Sequence, residues 1–160
     1  MNKKLSICLL GFAKHCDKHN QKLAESLGKR IAKLDLKLLV GSSIGTFAYA
    51  LKSCKQHNGY TTAILQEQHI PSKPELIDFC EYCKNAQDKH QLIAKKADLA
   101  VVIGGAIGTQ HLIEHLLKQN KPVFVITHTS GICDFNDPRL TYLDNIDEFY
   151  NVLDEFIKFG

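Results

Sequence analysis

Arginine is scarce in this chain of 160 residues: among 20 Lys and Arg residues, only Arg30 and Arg139 are arginine. A site built on planar, bidentate guanidinium forks has little to draw on. The net charge of +3 is too small to imply a nucleic-acid partner. The lysines are scattered apart from pairs such as Lys3-Lys4 and Lys95-Lys96. No basic stripe interleaved with aromatics marks a nucleic-acid track. No apolar run reaches the roughly 18 residues that cross a bilayer. The apolar stretch 5–12 follows a basic start, but no small-residue cleavage site comes after it. It reads as a first core strand rather than a signal peptide. These absences predict a cytoplasmic protein with neither a membrane nor a nucleic-acid partner.

The six cysteines form no disulfide framework and read as free thiols of a cytosolic chain. Cys80 and Cys83 have C-x₂-C spacing. On a helix they would share a face and could ligate a metal, with His90 as a further ligand. Two ordinary helix cysteines is the reading that needs no second pair. His111 and His115 stand one helical turn apart without the H-E-x-x-H order. No metal site is predicted.

What is present fits a single domain, 1–160, large enough to bury a core. Residues 5–13, 36–40, 60–65, 97–103 and 123–127 read as five strands. Leu23, Leu27, Ile31 and Leu34 recur at helical spacing, so 19–34 is a helix that Asp17 caps. Further helices are predicted over 44–56, 109–119 and 146–159, with Asp144-Asn145 introducing the last. Gly59 is placed for a left-handed C-cap of the second helix. Residues 75–96 read as one broken helix or two, and 129–140 as irregular. The five successive apolar residues Leu99–Ile103 imply burial on both faces, the mark of a parallel sheet. The alternation predicts an α/β fold: a Rossmann-like, three-layer α/β/α domain with a parallel sheet of at least five strands. In chain numbering the expected order is 3-2-1-4-5.

Two junctions carry the functional signal. Each is a buried strand, a small-residue turn and a helix start: Gly41-Ser42-Ser43-Ile44-Gly45-Thr46 and Gly104-Gly105-Ala106-Ile107-Gly108-Thr109. Such turns aim backbone N–H groups and the positive end of a helix at one point, where an anion fits. Gly41, Ser42, Ser43, Gly45 and Thr46 form the first candidate cradle; Gly104, Gly105, Gly108 and Thr109 form the second. Plain strand-to-helix turns, with Ser42 or Ser43 capping, are the alternative. Neither junction is a Walker A loop or a dinucleotide fingerprint. Gly11, Lys14, His15 and His128 are candidates for the periphery, as the exits of the first and fifth strands fall at the same sheet edge. Cys16, His19, Thr129 and Ser130 lie beside them. Asp134 and Asp137 are candidate acids or plain turn residues.

These two turns resemble the glycine-rich motifs of the LOG, or "lysine decarboxylase-like", Rossmann family. That group includes cytokinin-riboside monophosphate phosphoribohydrolases and molybdenum-cofactor-carrier-like proteins. The first junction, through Phe47, is similar to a degraded GGGxxGxM, and Ile103–Leu112 to PGGxGTxxE. The resemblance implies a homodimer that binds a nucleoside monophosphate, or a phosphate, with both turns. Active members cleave the bond between base and ribose 5′-phosphate using a glutamate and an arginine. Here the glutamate position holds Leu112 and the arginine position falls on Lys89, the one candidate catalytic residue. Glu114 lies about 200° round the helix from Leu112 and faces away. The residues therefore predict binding of a small phosphorylated molecule with an incomplete hydrolytic apparatus. Two alternatives stand beside it: a nucleoside 5′-monophosphate phosphoribohydrolase, and a carrier or sensing module for a pterin-type cofactor. The resemblance and the residues name no certain cofactor.

Overall fold

The structure, a computed structural model, describes residues 4–14, 16–105, 107–129 and 137–159. The elements alternate: β1 (Ser6–Gly11), α1 (Lys18–Lys33), β2 (Lys37–Val40), α2 (Thr46–Gln56), β3 (Tyr60–Gln66) and β4 (Phe79–Cys83). Then come α3 (Ala86–Lys96), β5 (Leu99–Ile103), α4 (Ile107–Lys118), β6 (Val123–Ile126), β7 (Thr141–Leu143) and α5 (Ile146–Phe159). All strands are parallel, in the order β4-β3-β2-β1-β5-β6-β7. The five expected strands hold the centre in the expected order, and an extra strand closes each edge.

Alternate residues of β1 divide the core. Ile7 and Leu9 pack with Leu27, Ile31, Leu51 and Phe149 of α1, α2 and α5. Cys8 and Leu10 pack with Ile93, Leu112, Ile113 and Leu116 of α3 and α4. Three layers result, and Leu99–Ile103 is wholly buried between the helical layers. Each large apolar side chain so buried contributes roughly 1.5–3 kcal/mol. The apolar positions of α2 and α4 are largely committed to this core. The order reverses beside β1, with β2 on one side and β5 on the other, so their carboxyl ends leave a crevice between α2 and α4.

Three local expectations need correction. Residues 75–96 are not one broken helix or two: a short 3₁₀ turn, Pro74–Leu76, leads into strand β4, and only α3 is an α-helix. A half-exposed edge strand mixes polar and apolar residues, and here that masked its two-residue period. Asn85 then starts α3, its Oδ1 accepting from Asp88 N at 2.8 Å. Cys80 and Cys83, three apart on a strand, point to opposite faces: Cys80 packs against the α1–α2 core and Cys83 against the α3–α4 core. They share no metal. Of the segment expected to be irregular, 130–136 lies outside the described residues, 129 and 137–140 are neither helix nor strand, and the three-residue strand β7 follows. At the end of α2, Asn58 and not Gly59 takes the left-handed conformation (φ 61°). Gly59 is required for closeness instead, because a Cβ there would lie 2.4 Å from Cys54 Sγ.

Other expectations hold. Asp17 Oδ1 accepts from Asn20 N at 2.8 Å and caps α1. Asn145 Oδ1 accepts from Glu148 N at 3.0 Å at the start of α5. Burial pushes the Cys8 thiol up to about 12 and that of Cys54 up to about 11, so both behave as small apolar groups. Cys133 lies outside the described residues. No described helix is long and apolar enough to cross a membrane.

Candidate functional site

The exit of β1 and the two glycine junctions meet at the reversal point. Gly11 sits where a Cβ would come within 2.9 Å of Ile103 O and 3.1 Å of Thr46. The first turn folds onto the β1 exit, with Thr46 N donating to Phe12 O at 2.9 Å. Gly45 precedes α2 with φ 63°, and any Cβ there would lie 2.3 Å from Phe12 O. Only glycine fits both demands. No side chain caps α2; Ser42 Oγ instead accepts a long 3.4 Å bond from Ile44 N. Thr46 is fully buried, and its hydroxyl donates to Cys16 Sγ at 3.4 Å. That hydroxyl faces the α1 side rather than the crevice.

The second turn uses Gly104 (φ 71°) and Gly105 (φ 157°) to reverse the chain before α4. Gly104 N donates to Thr129 Oγ1 at 3.0 Å, which in turn donates to Ile126 O at 3.0 Å. The turn is thus laced to the end of β6. Gly105 lies under Thr109, where a Cβ would meet Oγ1 at 2.8 Å. Gly108 has nothing within 4 Å of its Cβ position.

A cavity of about 350 Å³ opens between the turns. Gly11, Lys14, Gly41, Ser42, Gly108 and Thr109 line its polar side. Leu9, Leu10, Phe47, Ile93 and Leu112 form an apolar wall. Gly104 and Gly105 are buried beneath and do not line it. Ser43 and Gly45 face a neighbouring cavity. His128 is exposed beyond the end of β6, with φ 62°, and does not line the cavity. His15 and Ala106 lie outside the described residues, as do Ser130 and Asp134.

Lys89 and His90 enter the cavity from the first turns of α3. Lys89 Nζ donates to Gly41 O at 3.0 Å. Burial lowers its pKa, opposed by the nearby Cys83. His90 is 8% exposed, and its ring centroid lies 5.8 Å from that of His115 on α4. Burial pushes its pKa down to about 4, with the charges of Lys89, His115 and His111 acting in the same direction. His90 is therefore neutral at pH 7 and wedged between α3 and α4. Among the described residues no group of three or more His, Cys, Asp or Glu could hold a metal ion.

Among the described residues no Asp or Glu lines the cavity. Leu112 is a buried part of the apolar wall. Glu114 points to solvent and pairs with Arg139 at 3.2 Å, and Arg139 also pairs with Asp137 at 2.6 Å. The other arginine, Arg30, lies 4.4 Å over the Tyr150 ring. Both arginines are engaged away from the cavity. The arrangement can hold an anion at the start of α4, beside two ammonium groups, with a flat apolar group against the wall. The wall was not legible as a site, because Leu9, Leu10, Ile93 and Leu112 carry the same periodic signal as the rest of the core.

The sequence model of the SLOG cluster4 family matches residues 4–149. The chain belongs to this family. None of the curated proteins matches it. Solved structures resemble this SLOG cluster4 protein along its whole length. The molybdenum cofactor carrier protein of Chlamydomonas reinhardtii is 20% identical, with 98% of this chain and 99% of that one covered, at a TM-score of 0.83. The molybdenum cofactor binding protein of the phototrophic bacterium Rippkaea orientalis is 18% identical, with 97% and 98% covered, at 0.81. The single-stranded-DNA-binding DNA processing protein A of Helicobacter pylori is 14% identical, with 94% and 80% covered, at 0.71. At such identities these likenesses establish the fold that this SLOG cluster4 chain shares with them. Its family is SLOG cluster4, and its fold is the Rossmann-like α/β/α fold of these structures.

Proposed function

We propose that this protein binds a phosphorylated, ring-bearing small molecule of the pterin-cofactor type and holds it without cleaving it. One observation carries the reading: the cavity joins a glycine-turn anion cradle to an apolar wall, and among the described residues no carboxylate lines it. Gly108 and Thr109 at the start of α4, with Lys89 and Lys14, supply the positive side for a phosphate ester. Phe47, Ile93 and Leu112 supply a surface for a flat ring. Glycosidic cleavage needs a proton donor or base near the leaving group; at the family's glutamate position stands Leu112, and Glu114 is held by Arg139. The names of the Chlamydomonas and Rippkaea proteins support the cofactor class among phosphorylated ligands. A homodimer is part of the same reading, and light scattering on the purified protein measures it.

The deciding experiment is mass spectrometry of small molecules released from freshly purified protein. A phosphorylated pterin is the expected species. Recovery of nucleoside monophosphates alone favours the broader nucleotide-binding reading. Release of free base from an added nucleoside monophosphate, lost in Lys89→Ala, would restore the hydrolase.

A further inference from the structure

A second cavity, of about 540 Å³, lies on the other side of the first glycine turn. Ser42 faces the first cavity, Ser43 and Gly45 face the second, and Lys14 lines both. The turn is thus a low wall between two adjoining chambers at one edge of the sheet.

The second chamber is lined by three lysines. Lys14 comes from the loop after β1, Lys52 from α2 and Lys73 from the connection between β3 and β4. Three segments distant in sequence each contribute a lysine to the lining of one hollow, with Ser43, Ser72 and Tyr49 as hydroxyl-bearing neighbours. Among the described residues no Asp or Glu lines it. Among the described residues these three lysines make no ion pair, whereas Lys4, Lys55 and Lys96 each have a carboxylate partner. Like charges gathered around a concave surface focus a positive potential, and an anion entering it relieves their repulsion.

We propose that this lysine-lined chamber is a second anion subsite, taking a phosphoryl group at the far end of the ligand held in the first cavity. The ligand is then an extended molecule with two separated phosphoryl groups, laid across the Ser42–Gly45 turn and past Lys14. The chamber's size falls in the range of about 300–1,000 Å³ usual for small-molecule sites. The inference rests on the reading of the first cavity as a phosphate-ester site.

Inorganic phosphate titrated into ¹⁵N-labelled protein separates the two sites by residue. The expected result is one set of amide shifts at Gly108 and Thr109 and another at Ser43, Lys52, Ser72 and Lys73. The double variant Lys52→Glu/Lys73→Glu, with both changes at exposed positions, erases the second set and leaves the first. Shifts confined to Gly108 and Thr109, or a second set that survives charge reversal, overturn the inference while leaving the proposed function standing. Shifts at the lysines with none at Gly108 and Thr109 leave an anion site in the chamber but overturn the proposed function and, with it, the shared ligand. Bridging is read with alkanediol bisphosphates of increasing chain length against the matching alkyl monophosphates. A bisphosphate that reaches both sites gains about a hundredfold in affinity, and the double variant loses the gain. No gain at any chain length overturns the bridged ligand.

Discussion

The ammonium group of Lys89 donates to the carbonyl of Gly41 at 3.0 Å, joining residues 48 positions apart. The bond ties the first turn of α3 to the start of the first glycine turn and keeps a positive charge at the cavity edge. A lysine cannot form the bidentate fork of an arginine but still serves as a strut and a point charge. Hydrogen bonds to charged groups contribute about 1.5–3 kcal/mol. Lys89→Met keeps the apolar stem and removes the donor. Its expected effects are a stability loss of about 1–2 kcal/mol in denaturant titration and roughly tenfold weaker phosphate binding by calorimetry. Unchanged phosphate affinity would remove Lys89 from the site.

His90 makes the fold sensitive to acid. Its pKa is pushed from 6.5 down to about 4, so the folded protein favours the neutral ring. Between these values the unfolded chain binds more protons, and stability falls as the pH drops from 6.5 towards 4. The loss reaches on the order of 2–3 kcal/mol at the acid end. Denaturant midpoints measured across that window, for the protein and for His90→Gln, test this. The variant is expected to show a shallower acid slope. Equal slopes would mean that other groups control acid stability.

The centre of the fold was legible because its signals are local and strong. Leu99–Ile103 is apolar on both faces since helices cover both, and Asp17 and Asn145 announce helices through a backbone need that few side chains meet. The edges were not legible. Phe79–Cys83 is half-exposed, so its alternation carries charge and aromatics together, and Thr141–Leu143 is too short to show a period. The glycine turns showed in sequence because Gly45 and Gly105 satisfy backbone demands no other residue meets. The hydroxyl of Thr46 looked available for a ligand, yet the structure turns it to Cys16. The lysine chamber left no local trace, for Lys14, Lys52 and Lys73 converge only through the topology.

Glu114 offers a control. It lies near the cavity in sequence but is exposed and paired with Arg139, more than half of whose side chain is also exposed. Exposed pairs contribute about 0–1 kcal/mol. Glu114→Gln and Arg139→Ala are each expected to change stability by less than about 1 kcal/mol and to leave phosphate affinity unaltered. A large loss of binding in Glu114→Gln would bring a carboxylate back into the site and reopen hydrolysis.

Two glycines separate folding from binding. At Gly45 the backbone is left-handed, and a Cβ would lie 2.3 Å from Phe12 O and 2.7 Å from Ala13 O. Gly45→Ala is therefore expected to cost more than about 2 kcal/mol through strain and displacement of the β1 exit. At Gly108 a Cβ meets nothing within 4 Å, and the residue lies in the first turn of α4. There alanine is a better helix former than glycine by roughly 0.5–1 kcal/mol. Gly108→Ala should keep or raise the unfolding midpoint. Yet its new methyl group projects into the space where the phosphate would meet the start of α4. The expected outcome is a stable protein whose phosphate affinity falls about tenfold or more, the effect of roughly 1.4 kcal/mol in binding. Thermal unfolding and phosphate titration of this one variant read both quantities. A Gly108→Ala protein that is stable and binds phosphate as tightly as before would place the anion away from α4.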